Sequence, residues 1–504
     1  MTNILEYLER SAQQFPNKPA LVDETQAITF AQALDSSQKI GSALSLSLTK
    51  GQPVAVYMEK SVENLCAFWG IVYAGGFYVS FNTQLPVSRL KQMQSVLQAP
   101  FVITDEEHRG QLEEVFPPHR ILLYKDLARS GIHHDQLSNI RRHHVDTDPL
   151  YANFTSGSTG VPKAVVVGHR STLDFIDHFC PIFSITQEDI IANQAPFDFD
   201  VSVKDIYSAL ASGATLVLVP RPLFSQPQQL LDFLCQHRVT TLIWAVSALC
   251  LITTVHGLDY RTPDTVNKVM FSGEVMPAKH LKAWMEHLPQ AQFVNLYGPT
   301  EITCNCTYHI IDRTRSYPDG IPMGHAFPNE DVFLLDGEDH LITSPNVVGE
   351  VCVRGSALAL GYYRNPEQTA AAFPNNPLNP NYPERIYRTG DLARYSSLGE
   401  LHFCGRKDFQ IKHMGHRIEL EEIERAVSNL AGVHRCCCVF HSEKHRLYAF
   451  YQGDLTAKEL RLQLLPSLPP YMIPNVFRQV EQFPLNKNGK IDRNALLKGD
   501  GNHG

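Results

Sequence analysis

Thr155-Ser-Gly-Ser-Thr-Gly-Val-Pro-Lys163 places glycines, hydroxyls and a lysine in nine consecutive residues between two apolar runs. Glycines let a backbone turn tightly and approach a ligand closely. Successive N–H groups along Thr155, Ser156, Gly157, Ser158, Thr159 and Gly160, with the Ser and Thr hydroxyls, make a concave donor surface suited to phosphate oxygens. The pattern differs from the common P-loop, because Lys163 trails the last glycine by three residues and no Ser or Thr follows it. Four further stretches carry reactive types. Asn295-Leu-Tyr-Gly-Pro-Thr-Glu301 ends a strand-like run in a turn that presents an aromatic, a hydroxyl and a carboxylate. Tyr387-Arg-Thr-Gly-Asp391 puts an acid after a turn, and Gly405-Arg-Lys-Asp408 precedes a change of texture. Near the end, Pro484-Leu-Asn-Lys-Asn-Gly-Lys490 sets a lysine on a turn.

The elements that must position these residues follow from pattern and composition. A chain of 504 residues, 43% hydrophobic and 19% charged, can bury large cores and divides into more than one domain. Apolar spacing predicts a helix over Asn3–Gln14 and strands at 54–57, 101–104, 215–219, 241–244, 268–271 and 292–295, so α/β layers. From about residue 330 the texture becomes β-rich, with Pro374–Glu384 as a surface loop. After residue 408 a helix at 420–430, strands near 436–440 and 447–451, and a helix at 457–465 form a small unit. Residues 409–504 hold 13 Lys+Arg against 10 Asp+Glu, a charge of +3 that leaves −11 on the remainder. The net charge of −8 is too mild to point to nucleic acid, and no such partner is expected. No signal-peptide pattern and no apolar run of about 18 residues is present, so no membrane span and a reducing cytoplasm are expected. The eleven cysteines, including Cys436-Cys-Cys438, are expected to be buried free thiols, and no histidine spacing reads as a metal site.

Taken together and in this order, these motifs resemble the adenylate-forming superfamily of acyl-CoA synthetases, luciferases and amino-acid adenylation domains, over essentially the whole chain. The resemblance implies an α/β multidomain fold: a large N-terminal domain over residues 1–405, a hinge at 406–409 and a small mobile α+β domain over 410–504. It implies two half-reactions, acid plus ATP to acyl-adenylate and pyrophosphate, then transfer to a thiol. Under it, the Thr155–Gly160 loop and Lys163 hold the triphosphate. Asn295, Tyr297 and Gly298 meet the adenine, Thr300 donates to a phosphate, and Glu301 holds Mg²⁺. Asp391 accepts the ribose hydroxyls, Arg406 clamps the ribose, Asp408 is the hinge, and Lys490 is the catalytic lysine. An ammonium bridging carboxylate and phosphate oxygens orients attack and offsets developing charge, and no general base is needed.

In this family an Asp in F-D-x-S binds the substrate α-ammonium, and Phe199-Asp200-Val201-Ser202 matches. Asp198, in a second and shifted Phe-Asp, reads as a turn residue. The chain most resembles stand-alone D-alanine–carrier and prolyl–carrier protein ligases, with two departures: Ser272 where those have cysteine, and Lys204 where an apolar side chain is usual. The other pocket positions expected are Val201, Trp244, Val269, Phe271, Leu296, Cys304 and Asn305. The bulk of Trp244 and Phe271 predicts a compact substrate such as proline or alanine. Lys204 leaves two alternatives open: pairing with an acidic substrate, or packing its stem while its head finds Asp205 or solvent. An acyl- or aryl-CoA synthetase is the remaining alternative, with Asp200 as the discriminating residue. Only Ile491–Gly504 follows Lys490, so the expected acceptor is the phosphopantetheine thiol of a separate carrier protein.

Overall fold

The computed structural model describes residues 1–157, 161–441, 444–485 and 491–500. The chain divides into two compact units, one of Met1–Asn82, Gln98–Asn153 and Ala164–Lys407, the other of Thr83–Leu97, Phe154–Lys163 and Asp408–Gly504.

Three sheets carry the first unit. The largest has nine strands, in the order His325–Ala326, Thr307–Ile310, Gln292–Tyr297, Lys268–Ser272, Thr241–Ala245, Ile190–Asn193, Thr215–Leu218, Pro19–Val22, Ala27–Thr29. Its middle is parallel and its ends antiparallel. Parallel strands are joined by helical crossovers and covered on both faces, which is why runs such as Thr215–Leu218 are apolar after the threonine and buried at every position. A seven-stranded sheet repeats the arrangement around Pro53–Tyr57, Phe77–Ser80 and Phe101–Thr104. The helix Val62–Tyr73, capped by the Ser61 hydroxyl on Asn64 N–H, is buried almost all round because it is apolar almost all round.

The strand period of two decides what each face of the nine-stranded sheet sees. Ile243, Met270, Val294, Leu296 and Cys304 join the core that contains the helix Val201–Ser212. Trp244, Val269, Phe271 and Phe293 join a separate core with Leu249 and Trp284. Trp244 is fixed there by its indole N–H on Ala192 O at 2.8 Å and an edge-on contact with Phe224.

The third sheet, from about residue 330 as the texture indicates, is antiparallel: Leu341–Ile342, Glu330–Leu335, Val348–Gly355, Tyr387–Tyr395, Leu401–Arg406. Along Tyr387–Tyr395, burial alternates, so Tyr387, Thr389, Asp391 and Ala393 face inward. One inward residue of the four is a carboxylate.

In the second unit, the hairpin Gln410–His413/His416–Glu419 leads into helix Leu420–Ser428 and a sheet of Val433–His441, Arg446–Gly453 and Val476–Gln479. Thr456 and Glu459 form a capping box at the start of Ala457–Leu464. Cys436 and Cys438 pack with Leu447 and Ala449, while Cys437 packs on the other face with Tyr448 and Phe450. All eleven cysteines are free, but Cys404 is exposed and Cys235 and Cys250 are half-buried. The short strands Pro19–Val22, Ala27–Thr29 and Val476–Gln479 were not expected from pattern; runs of three or four residues carry too little alternation to read. Among the described residues no helix is long and apolar enough to cross a membrane.

Candidate functional site

Two groups of side chains in the first unit draw the motif residues together. At the first, strand Gln292–Tyr297 delivers Tyr297, whose hydroxyl donates to Asp391 Oδ2 at 2.6 Å. Arg406 lies opposite Asp391 in the antiparallel register, and its Nη1 donates to Oδ1 at 2.5 Å. The buried carboxylate is thereby matched by a cation, without which its place on the inward face would cost several kcal/mol. Burial, and then the Asp391 charge, hold the Tyr297 hydroxyl well above the usual phenol range, so it is a donor at every working pH. Each Asp391 oxygen keeps lone-pair capacity for a further donor, such as a vicinal diol. Asn295 is directed elsewhere, its amide holding Pro322 O at 2.8 Å.

The turn after Tyr297 is shaped by close approach. A Cβ on Gly298 would meet Asn305 Cα at 2.5 Å, so only glycine lets these backbones touch. Thr303 and Cys304 both take the left-handed region, φ 52° and 75°. That strain is held by Thr303 Oγ1 on Ala357 O at 2.7 Å and Cys304 Sγ on Asp200 O at 3.1 Å. Thr300 and Glu301 form a short 3-10 turn. The Glu301 side chain is fully buried, and Oε1 accepts from Tyr362 Oη at 2.8 Å. Tyr362 sits on Gly361–Tyr362 and gave no signal in the sequence, since a lone tyrosine after a glycine marks nothing. An oriented hard-oxygen ligand of this kind suits a divalent cation such as Mg²⁺.

The second group surrounds the start of helix Val201–Ser212. Asp200 precedes it in helical conformation, φ −63° and ψ −25°, and its side chain does not cap the helix. Its backbone is pinned instead: the Asn153 amide, oriented to satisfy both its ends, accepts from Asp200 N–H at 3.0 Å, and the Cys304 thiol takes the carbonyl. One turn on, Lys204 is completely buried, its Nζ donating to Asn305 Oδ1 at 2.6 Å and Ser272 Oγ at 3.4 Å. Its head is therefore not in solvent. Asp205 turns to Asn193, which donates to Oδ2 at 2.7 Å, and burial raises this carboxyl against the lowering charge of Lys204. Lys60 Nζ holds Asn193 O and Gln194 O at 3.1 and 3.3 Å, and burial brings it down to about 7. Leu296 belongs to this side of the sheet with Met270, which shares a face with Ser272, and Val201 opens the helix half-buried.

Trp244, Val269 and Phe271 do not join them. Val269 and Phe271 lie on the opposite face, because the expected set slipped by one residue along Lys268–Ser272 and period two then exchanges faces, and Trp244 shares that face as the register partner of Phe271 on Thr241–Ala245. Asp198 accepts from Asn82 at 3.3 Å and is pushed up to about 6 by burial.

In the second unit, Ser156 Oγ donates to Arg417 O at 2.9 Å and accepts from Glu419 N–H at 3.1 Å. The Gly157 N–H meets the Glu422 carboxylate, which pairs with Arg89 at 2.6 Å. Burial raises Glu422 despite that guanidinium. Thr155 Oγ1 is buried without a hydrogen bond. Lys163 contributes its charge near Glu419, and Asp408 Oδ1 accepts from Gln410 N–H at 3.2 Å. Ser158, Thr159, Gly160 and Lys490 lie outside the described residues.

The chain is similar to known proteins over nearly its whole length. Surfactin synthase subunit 1 of Bacillus subtilis (strain 168) is 29% identical over 99% of this chain and 14% of its own. Tyrocidine synthase 3 of Brevibacillus parabrevis is 31% identical over 98% of this chain and 8% of its own. The chain thus spans a small fraction of the length of these two relatives. Among solved structures, PA1221, an NRPS protein containing adenylation and PCP domains, is 25% identical with a TM-score of 0.82, covering 99% of this chain and 97% of that one. The profile of AMP-binding enzymes matches residues 8–363, and the chain belongs to that family.

Proposed function

We propose that this enzyme activates an amino acid with ATP as aminoacyl-AMP and passes the aminoacyl group to the phosphopantetheine thiol of a carrier protein. In the first step a carboxylate oxygen of the amino acid attacks the α-phosphorus, and the bond to pyrophosphate breaks. In the second a thiol sulfur attacks the acyl carbon, the thiol proton is lost and AMP leaves. Both steps consist mainly of positioning and charge stabilisation. Asp391 and Arg406 orient the ribose, Tyr297 flanks the base, and the Thr155–Gly160 loop with Lys163 and Thr300 holds phosphate oxygens. Glu301, oriented by Tyr362, would hold Mg²⁺, which neutralises phosphate charge when bound. Lys490 supplies the ammonium between carboxylate and α-phosphate, and Asp408 takes up the backbone change between the steps.

The observation that carries the reading is Asp200. It stands before the helix with its backbone pinned by Asn153 and Cys304, and its side chain is not spent on a cap. A carboxylate so placed is matched by a substrate ammonium. The compact-substrate expectation has lost its support, because Trp244 and Phe271 face the other core. The resemblance to PA1221, with its adenylation and PCP domains, supports a carrier as the acceptor.

The test is amino-acid-dependent ATP–pyrophosphate exchange across the proteinogenic amino acids and D-alanine. Wild type is expected to exchange with one or a few, and Asp200→Ala with none. Exchange unchanged in Asp200→Ala, or supported only by fatty or aryl acids, overturns the reading.

A further inference from the structure

The turn that presents Asp391 is braced by a buried carboxylate, Glu350, to which the two half-reactions assign no part. In the register of Val348–Gly355 with Tyr387–Tyr395, Glu350 faces Leu392 and Cys352 faces Arg388. Two steps on one strand thus span four on the other, and the surplus forms a bulge at 389–391. Bulges bend a strand and re-aim its side chains, and Gly390 takes the left-handed region here, φ 73°. Glu350 grips this bulge. Its Oε1 accepts from Gly390 N–H at 3.2 Å, and its Oε2 accepts from Arg388 Nε and Lys407 Nζ, each at 2.9 Å. Lys407 N–H donates in turn to Gly390 O at 2.9 Å, so Gly390, Glu350 and Lys407 close a ring. The next residues along the chain from this ring, Asp391 and Arg406, are the charged pair of the corner. Lys407 is also the last residue of the first unit. Its side chain is 47% exposed and that of Glu350 only 6%, so a lysine with access to water is held on a carboxylate without it. Such an attraction is screened by salt less than a surface pair.

We propose that Glu350 is a positioning residue for the nucleotide, which fixes, together with Lys407, the bulge that aims Asp391 at the ribose hydroxyls. This rests on the reading of Asp391 as the ribose acceptor. A glycine at the apex of a bulge has wide backbone freedom. A carboxylate that takes donors from Gly390, Arg388 and Lys407 together leaves it one conformation, and with it one direction for the next side chain. Glutamine in its place keeps the size but has a single acceptor oxygen, and its amide N–H groups would meet a donor.

The experiment measures by calorimetry the Kd of ATP and of 2′-deoxy-ATP, each with Mg²⁺, for the full chain and its variants. Wild type is expected to bind ATP about 30-fold tighter, since the deoxy sugar forfeits a hydrogen bond to a charged acceptor. Glu350→Gln is expected to weaken ATP about 10-fold and to leave 2′-deoxy-ATP nearly unchanged, so that the preference falls to about threefold. Lys407→Gln should shift the preference the same way by about threefold, while Lys407→Arg, which keeps the cation, should retain most of it. A loosened fold weakens both nucleotides together and cannot give this selective loss. If Glu350→Gln (or Lys407→Gln, should the first variant not fold) weakens both equally or neither, the carboxylate serves packing alone and the proposal fails. If Lys407→Arg loses as much preference as Lys407→Gln, charge does not hold the bulge and the proposal also fails. No preference for ATP in wild type, or one that survives in Asp391→Asn, overturns the ribose reading itself and the proposal with it.

Discussion

The Tyr297–Asp391–Arg406 corner and the Lys204–Asn305–Ser272 cluster belong to the same unit, and both bury charge, but they are wired oppositely. The corner pairs its carboxylate with a guanidinium across a strand register and adds a phenol. The cluster brings the Lys204 ammonium to the Asn305 and Ser272 oxygens, with the Asp205 carboxylate acting on it through charge. A matched pair is a fixed platform, whose geometry is the same whichever acid enters. The corner is closed by residues paired across one strand register, whereas the cluster draws on a helix, a strand end and the turn after Tyr297.

Substitutions should separate the two regions and the face behind them. The largest effect is on stability: Phe271→Ala empties a buried site in the second core and is expected to lower unfolding free energy by about 3–5 kcal/mol in denaturant titration. The ranking of amino acids in exchange stays as in wild type; a changed ranking would return Phe271 to the substrate side. Asp391→Asn removes the carboxylate from the corner and is expected to reduce exchange about 100-fold for every accepted amino acid alike. A selective loss would mean that the corner also reads the acid. Tyr362→Phe deletes the hydroxyl that orients Glu301, and the Mg²⁺ concentration for half-maximal exchange should rise about 10-fold. An unchanged Mg²⁺ dependence would remove Glu301 from the metal role.

The smallest effect is a pH slope. Burial raises the folded Asp198 carboxyl to about 6 from its ordinary 3.8. A raised carboxyl binds its proton better folded than unfolded, so its stabilising contribution is complete below pH 3.8 and is lost as pH rises towards 6. Asp198→Asn should flatten the fall in Tm between pH 4 and 6 by a few degrees, and an identical slope would show the carboxyl to be well solvated.

Much of this was legible before any coordinates. Helix Leu5–Gln14 and the strands at Pro53–Tyr57 and Phe101–Thr104 follow from apolar spacing, because burial on a helix or strand imposes its own period. The corner residues were legible through motif order. Tyr362 was not, since it reaches Glu301 from the edge of another sheet, 61 residues along. The expected pocket set was half legible as a spatial group: Leu296 and Cys304 share the core of helix Val201–Ser212 and Lys204 reaches Ser272 and Asn305, whereas Val269 and Phe271 face the other core.

By itself, then, the sequence determined the family, the α/β layers and the chemical types available, because these depend on local period and on residues close in the chain. Tertiary structure decided which side chains share a face, that Asp391 is matched by Arg406, and that the Lys204 ammonium meets Asn305 and Ser272. Those facts depend on register, where one residue exchanges faces, and on partners brought from distant strands, for which a linear pattern carries no signal.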